Sequence, residues 1–375
     1  MLSCMQRVIA TDTVNISRTC SAAVSIFVSR AAGEQPTSWQ SRRHFVTTPY
    51  RGAEASKSGG PKKTSMFSVS GWRSWVSEES DNFKPASGRY HLYVSYACPW
   101  AQRTLIVRKL KGLEKAISFD VVHWLLTDKG WLFDDSKPAA TIDSVNNFEG
   151  MGAVYKKADP EYKGKYTVPV LWDKQMNTMV NNKSKDILRM LNANFQEFCE
   201  TDEQRQLDLY PSHHQEEIDD LTDFISPNLT KGVYKAGRAI TQPTYEKAAK
   251  NVFMALDKFE DILSQKRYLC GDQMTEIDVK LYSCLIRFDT VYHGHFKCNK
   301  KRIIDYPNLW AYTRELYQIP AFKDTTNFEH IAKFYQESQL QINPHGIVAL
   351  GPELDLDAPH GRDKLGQSTR AEATA

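Results

Sequence analysis

The sequence has no cysteine pair at C-x-x-C spacing and no apolar run long enough to cross a bilayer. Its seven cysteines are odd in number and scattered, which argues against a disulfide framework and for a reducing compartment. The missing apolar run excludes a transmembrane helix, so we expect no membrane partner. The 375 residues, 41% of them hydrophobic and 25% charged, are typical of a globular protein of two domains.

The chain also lacks a large excess of either charge. Its net charge is +3, but residues 1–60 hold seven Lys and Arg against three Asp and Glu, so the remainder has a net charge of −1. Nothing in this distribution indicates nucleic-acid binding by the folded part.

The N-terminal segment is rich in Ser, Thr and Arg and contains S-R-R-H-F-V-T-T. This composition resembles a mitochondrial presequence. We therefore interpret residues 1–64 as a presequence and linker and expect a mitochondrial location. The alternative is a disordered tail on a cytoplasmic protein.

A strand, a helix and a strand follow one another in the first folded region. Residues 90–96 alternate like a strand, residues 104–113 have helical spacing with a stop at Gly112, and residues 117–124 form a second strand. This order favours parallel pairing of the two strands. The following stretch, 125–166, is read as a long loop with a function or packing of its own.

The second half of this region predicts a hairpin and a helix. Residues 167–173 and 177–181 pair as strands, and residues 184–195 form a helix with Ser184 as its possible N-cap. The order βαβ, then ββα, is a thioredoxin-like arrangement over residues 65–200. A proline at the start of its third strand, here Pro169, is commonly cis and exposes the backbone of the residue before it.

After residue 200 only helical patterns remain. Thr275 and Asp278 have the spacing of a capping box. The predicted fold is thus an α/β thioredoxin-like N-terminal domain plus an all-α C-terminal helical domain, residues 201–345, with a tail at 346–375. The predicted helices are 203–226, 243–265, 275–292 and 308–317.

The stretch S-Y-A-C-P-W-A-Q-R places Cys98 at the strand-to-helix turn. Free N–H groups and the helix dipole there stabilise a thiolate and lower the thiol pKa. Ala101 stands where a dithiol site would have its second cysteine, so an external thiol, with glutathione as the obvious candidate, must resolve Cys98. The alternative is an inert buried cysteine.

Several motifs together resemble the glutathionyl-hydroquinone reductases, the Xi class of glutathione transferases. They cover roughly residues 65–352, and the longest is R-F-D-T-V-Y-H-G-H-F-K-C-N. The others are C-P-W-A, G-W-L-F, T-V-P-V-L-W-D, N-N-x-S, G-V-Y-K-A-G and D-Y-P-N-L-W-A-Y.

The resemblance implies a role for each matching position. Cys98 would be the nucleophile, surrounded by Tyr234, Tyr292 and Tyr335. Glutathione would be the co-substrate. It would be bound by Trp131, Lys165, Tyr166, Thr167, Val168, Lys183 and Ser184.

The implied reaction reduces glutathionyl-hydroquinones to hydroquinones through a Cys98–glutathione disulfide, and the implied partners are glutathione, its aromatic conjugates and a second copy of the chain. One alternative is an omega-like thiol transferase acting on mixed disulfides. Another is a non-catalytic binding protein with weakened glutathione affinity, because Lys183 replaces the family's usual glutamate.

Other positions also depart from the family. Lys165 replaces an arginine, Arg238 stands at a normally apolar position, and Gln336 and Gln339 replace a tyrosine and a histidine.

The cluster His293, His295 and Cys298 offers two readings. Three soft ligands lie within six residues, but no further cluster completes a tetrahedral metal site. We interpret the cluster as part of a packed wall of the active site and expect no metal.

Overall fold

A computed structural model describes residues 71–365 of the chain. The predicted presequence and the last ten residues lie outside this range. The strands are β1 (Tyr90–Val94), β2 (Ser118–Val121), β3 (Leu126–Thr127), β4 (Gly130–Trp131), β5 (Val170–Asp173) and β6 (Thr178–Asn181). The α-helices are α1 (Pro99–Leu110), α2 (Met151–Ala158), α3 (Ser184–Ala193), α4 (Asp202–Gln206), α5 (Gln215–Ile225), α6 (Gly232–Gly237), α7 (Gln242–Gln265), α8 (Glu276–Leu285), α9 (Pro307–Tyr317), α10 (Pro320–Lys323) and α11 (Phe328–Ser338).

Four strands form one mixed sheet in the order β2-β1-β5-β6. β1 pairs in parallel with β2 and antiparallel with β5, and β5 pairs antiparallel with β6. All five residues of β1 are buried, as expected for a central strand with both faces covered. This arrangement confirms the predicted thioredoxin-like domain.

The remainder of the described chain is helical, which confirms the predicted all-α domain. Thr275 and Asp278 form the predicted capping box, in which the Thr275 N–H donates to the Asp278 carboxylate at 2.8 Å. Two π-helical turns, Ser226–Thr230 and Phe288–Tyr292, interrupt the regular helices. Such turns are rare in proteins overall, and those that occur often lie at functional sites.

The structure corrects the sequence interpretation at two helices. The stretch 125–166 is not one loop, because it contains the β3–β4 hairpin and α2. α11 is absent from the helices predicted above, although Ile331, Phe334 and Tyr335 are buried at helical spacing. Both helices are short and depend on tertiary packing of one apolar face.

Element ends also differ from the sequence interpretation. Lys183 is the N-cap of α3 and Ser184 is its first residue, without a side-chain cap. The second strand ends at Val121 rather than at residue 124. The strand after the loop begins only at Val170, and the peptide bond just before it, between Val168 and Pro169, is cis.

The described part of the C-terminal tail packs back onto the helical domain. Arg362 is 3% exposed and forms an ion pair with Glu315 of α9 at 3.1 Å. Its guanidinium also donates to carbonyl oxygens at Leu263, Lys266 and Arg267. Within residues 71–365, no helix has the length and apolarity needed to span a membrane, and no group of metal-ligating side chains is assembled.

Candidate active site

Cys98 is the N-cap of α1, directly after β1 and its turn, as the sequence predicts. Pro99 follows as the first helical residue, where its missing N–H costs no hydrogen bond. The residue Cys98 is 9% exposed, and its thiol donates to the Val168 carbonyl, with 3.5 Å between sulfur and oxygen. The sulfur therefore lies at the floor of a cleft, next to the cis-proline loop.

The net pKa shift of Cys98 is opposite to the one expected from the helix terminus. Burial raises the pKa of the thiol above its ordinary value. The N–H groups of Ala101 and Trp100 lower it, as do the positive charges of Arg287 and Arg103. The expected contribution of the helix N-terminus is thus present, but in the free protein the cost of burying a charge outweighs it.

Arg287 connects the helical domain to the turn that carries Cys98. Its guanidinium donates to the carbonyl oxygens of Tyr96 at 2.8 Å and Ala97 at 3.1 Å, and to Gln102. It is fully buried, and in the described part of the chain it has no carboxylate partner. A buried guanidinium with only neutral acceptors holds this turn in place and directs an uncompensated positive charge toward it.

Sequence reasoning did not assign a role to Arg287. The residue is the first of the motif R-F-D-T-V-Y, but the Tyr96 and Ala97 carbonyls that accept from it lie about 190 residues earlier in the chain. No periodicity or spacing reports such a contact.

A cavity of about 490 Å³ opens above Cys98. It is formed by the two domains together, since residues of α1, α3, α6 and α11 all contribute. Its lining residues are Cys98, Pro99, Trp100, Trp131, Thr167, Val168, Pro169, Asn182, Lys183, Ser184, Lys231, Tyr234, Arg238 and Phe334.

The β3–β4 hairpin places Trp131 on one wall of the cavity. Trp131 stacks on Phe334 of α11, with 5.0 Å between ring centroids. α11 is held against the hairpin by Trp124, whose indole N–H donates to Glu337 at 2.8 Å, and by Ser338, which accepts from the Leu126 N–H at 2.9 Å. The segment that the sequence predicts to be a loop therefore positions a cavity residue.

Four other predicted glutathione-binding residues line the same cavity, namely Thr167, Val168, Lys183 and Ser184. Val168 contributes backbone next to the cis peptide bond, and Ser184 lies in the first turn of α3. Free N–H groups at that helix start can bind a carboxylate. This geometry matches the extended binding of a peptide between the proline loop and the helix.

Two predicted residues lie outside the cavity lining. Lys165 is exposed, and its carbonyl accepts from the Tyr162 hydroxyl at 3.1 Å. Tyr166 packs on Tyr155 with 5.5 Å between ring centroids, in an aromatic cluster beneath the hairpin. Both residues precede the proline loop in the chain and lie outside the cavity lining.

The three predicted tyrosines form a hydrogen-bonded row. The Tyr335 hydroxyl bonds to that of Tyr234 on one side and to that of Tyr292 on the other, the latter at 3.1 Å. Tyr234 belongs to α6, Tyr292 to the second π-helical turn and Tyr335 to α11. Only packing of the helical domain brings them together.

Tyr234 is the one member of this row that lines the cavity. Its ring lies 5.3 Å from that of Trp100, between centroids, and it is half-buried, whereas Tyr292 and Tyr335 lie behind it and are buried. Burial raises the pKa of Tyr335 to about 12 and holds the pKa values of Tyr234 and Tyr292 well above the ordinary value of a phenol. All three phenols are therefore protonated at neutral pH and able to donate.

The cluster His293, His295 and Cys298 lies beside this row. The Tyr335 ring is 6.3 Å from the His295 ring, and Cys298 is buried with its thiol toward the Phe296 carbonyl. This placement is that of a packed wall.

The chain matches two family descriptions. Residues 97–194 match "Glutathione S-transferase, N-terminal domain" and residues 242–315 match "Glutathione S-transferase, C-terminal domain". The matches correspond to the thioredoxin-like and helical domains.

Similar proteins extend this likeness to most of the chain. The chain is 48% identical over 303 residues to glutathionyl-hydroquinone reductase YqjG of Escherichia coli (strain K12). The aligned region covers 79% of this chain and 91% of the relative. It resembles the glutathione transferase Xi of Phanerochaete chrysosporium at 48% identity and a TM-score of 0.74, over 77% of this chain and 97% of that one. The glutathione-bound structure of YqjG is similar at 47% identity and a TM-score of 0.75, over 78% and 96% of the two chains.

Proposed function

Because the chain belongs to the glutathione transferase family, in its Xi class, we propose that it is a glutathione-dependent reductase of glutathionyl-hydroquinones. One observation carries the proposal: a single thiol, Cys98, lies at the floor of the cavity, and Tyr234 lines the same cavity at the end of a row of phenols. A nucleophilic sulfur and a proton donor are the two groups that this reaction requires.

In the first step, the Cys98 thiolate attacks the sulfur of the conjugate. A sulfur–sulfur bond forms, and the bond between sulfur and the aromatic carbon breaks. The electron pair of that bond goes to the carbon, which takes a proton from Tyr234 and leaves as the hydroquinone. Cys98 is thereby oxidised to a mixed disulfide with glutathione.

In the second step, the thiolate of another glutathione attacks the mixed disulfide. This releases oxidised glutathione and returns Cys98 to its thiolate. Position 101 is alanine and no disulfide joins the described cysteines, so an external thiol has to perform this step. The overall reaction consumes one conjugate and one glutathione.

The cavity walls support a binding mode for glutathione. Backbone groups at Val168 would pair with the cysteinyl unit, and the start of α3 at Ser184 would bind the γ-glutamyl carboxylate. Trp131 would cover the bound peptide from the opposite side. The glutathione bound to YqjG supports this assignment, because that protein is similar over most of its length.

The proposal is tested with a synthetic glutathionyl-hydroquinone and glutathione. The wild-type protein should release the hydroquinone, and the Cys98→Ser variant should not. Cys199→Ser is the matched control, because Cys199 is buried against the Phe195 carbonyl and does not line the cavity. Turnover retained in Cys98→Ser would refute the assignment of the nucleophile.

A second substrate distinguishes the thiol-transferase alternative from the proposed reductase. A mixed disulfide of glutathione needs the same thiol but no proton on carbon. If the wild-type protein reduced the mixed disulfide and left the conjugate intact, the alternative would replace our proposal. If the protein reduced neither substrate but still bound glutathione, it would be a binding protein without this activity.

We also propose that residues 1–64 direct the protein to mitochondria. The basic, acid-poor composition of this segment supports the proposal. A fluorescent protein fused behind residues 1–64 should enter mitochondria, and cytosolic fluorescence would contradict the assignment.

We further propose a homodimer, as the resemblance to the family implies. Light scattering after size-exclusion chromatography should give twice the mass of the chain. A monomeric mass over the tested concentrations would refute it.

A further inference from the structure

Three cations line the Cys98 cavity, namely Lys183, Lys231 and Arg238, and its lining contains no carboxylate. None of the three forms an ion pair with any residue between 71 and 365. By contrast, Lys235, on the same helix as Tyr234, donates to the Pro227 carbonyl at 3.2 Å and lies outside the lining. The cavity therefore concentrates unpaired positive charge above the thiol.

The cations divide between the two walls. Lys183 stands at the start of α3, on the side that would bind glutathione. Lys231 and Arg238 flank α6 on the opposite wall, and the Arg238 guanidinium lies 5.4 Å from the centroid of the Tyr234 ring. The α6 pair thus borders the space in front of the proton-donating tyrosine.

Glutathione does not neutralise all three cations. It carries two carboxylates and one ammonium at neutral pH, a net charge of −1, and the free N–H groups at the start of α3 are suited to one of the carboxylates. The conjugate's aromatic ring, by contrast, must lie near Tyr234 for proton transfer to its carbon. Lys231 and Arg238 therefore face the ring more closely than the peptide.

We propose that the ring of the physiological conjugate carries an acidic substituent, a carboxylate or sulfonate, bound by Arg238 and Lys231. This inference rests on the proposed function and names the substrate class for the same site. Arg238 supplies a planar pair of donors that matches such an anion, and Lys231 adds a second charge.

The test compares two conjugates of one hydroquinone, with and without a ring carboxylate. In the wild-type protein, kcat/KM for the acidic conjugate should exceed that for the neutral one about tenfold. In the double variant Arg238→Met, Lys231→Met, the ratio should fall to about one. Lys235→Met should keep the wild-type ratio, and added salt should lower it because exposed charges are screened.

Two outcomes would overturn the inference while leaving the proposed function intact. One is a wild-type ratio near one with the neutral conjugate still reduced. The other is an equal loss for both conjugates in the double variant, which would assign these cations to glutathione itself. If neither conjugate were reduced, the proposed function would fail, and this inference with it.

Discussion

The two domains contribute to the site in different ways. The thioredoxin-like domain supplies Cys98, Val168 and Ser184 from the ends of regular strands and helices, where backbone groups are free. The helical domain supplies side chains, three phenols and two unpaired cations, from a π-helical turn and short helices. The first domain is thus suited to binding a peptide by its backbone, and the second to selecting and protonating what the peptide carries.

The largest effect is expected from removing the one phenol that faces the cavity. Tyr234→Phe removes the proposed proton donor to carbon, and a positioned acid contributes about 10²–10⁴-fold to such a step. The ratio of conjugate reduction to mixed-disulfide reduction should fall by about 10²-fold or more. Measuring both rates on the same preparation checks this, and an unchanged ratio would remove the tyrosine from the mechanism.

The next largest effect is expected from replacing Arg287, which links the helical domain to the Cys98 turn. Arg287→Met leaves the carbonyls of Tyr96 and Ala97 without their donor, at a cost of about 1–3 kcal/mol for each unpaired buried group. It also removes a charge that lowers the pKa of Cys98. The alkylation rate of Cys98 at neutral pH should fall about tenfold.

Arg287→Lys separates these two contributions, because it keeps the charge and loses the bonds to the turn. A denaturant melt of both variants shows whether each remains folded at the assay temperature. If both variants are folded and their Cys98 is alkylated at the wild-type rate, Arg287 does not position the thiol.

The pH dependence tests the balance between burial and the helix terminus. Because burial raises the pKa of Cys98, the alkylation rate of the free protein should rise about tenfold per pH unit through neutral pH. The phenols stay protonated over this range, as the pKa of Tyr335 is about 12. Intact-mass measurements from pH 6 to 9 follow the alkylation rate. A rate that stops rising below pH 7 would show that the helix terminus lowers the Cys98 pKa more than burial raises it.

A smaller effect is expected behind Trp131. An added Cβ at Gly150 would lie 2.5 Å from the Trp131 carbonyl oxygen, closer than real contacts allow, so the backbone of Trp131 must move. Gly150→Ala should raise the KM for glutathione several-fold. Gly294→Ala is the control, because its Cβ meets nothing within 4 Å. Equal behaviour of the two variants would mean that Trp131 does not contact the peptide.

The smallest effect is expected at the rim. Lys183→Glu should strengthen glutathione binding about threefold, since an exposed carboxylate attracts the γ-glutamyl ammonium that a lysine repels. Lys157→Glu makes the same change of charge at an exposed position of α2, outside the cavity lining. Calorimetry that finds weaker or unchanged binding in Lys183→Glu alone would contradict the charge argument.

The sequence predicts the strands and helices of the thioredoxin-like domain better than the side-chain contacts that the helical domain contributes to the site. Alternation and turn residues were sufficient for β1, α1 and the hairpin of β5 and β6, because those signals are local. The position of Cys98 at the helix start followed from the same signals. Its pKa did not, because burial depends on the packing of the helical domain around the turn.

What the sequence alone could not supply is contact between distant segments. Tyr234, Tyr292 and Tyr335 were identified through a family resemblance, and nothing in their spacing indicates that their hydroxyls meet. The Tyr96 and Ala97 carbonyls, which accept from Arg287, are equally remote from it in the chain. α11 has a local signal as well, because the Asn327 side chain accepts from the His330 N–H as its N-cap.

The row of phenols has a consequence for the direction in which protons travel. Three hydroxyls carry three protons, but only two bonds join them, so one proton is always surplus. When each hydroxyl rotates toward Tyr234, the surplus proton is presented to the ligand; when each rotates the other way, the Tyr234 oxygen is left with a lone pair instead. The row can therefore act in both directions: Tyr234 gives its proton to the departing carbon as an acid, and the phenolate that remains takes the proton of the arriving thiol as a base.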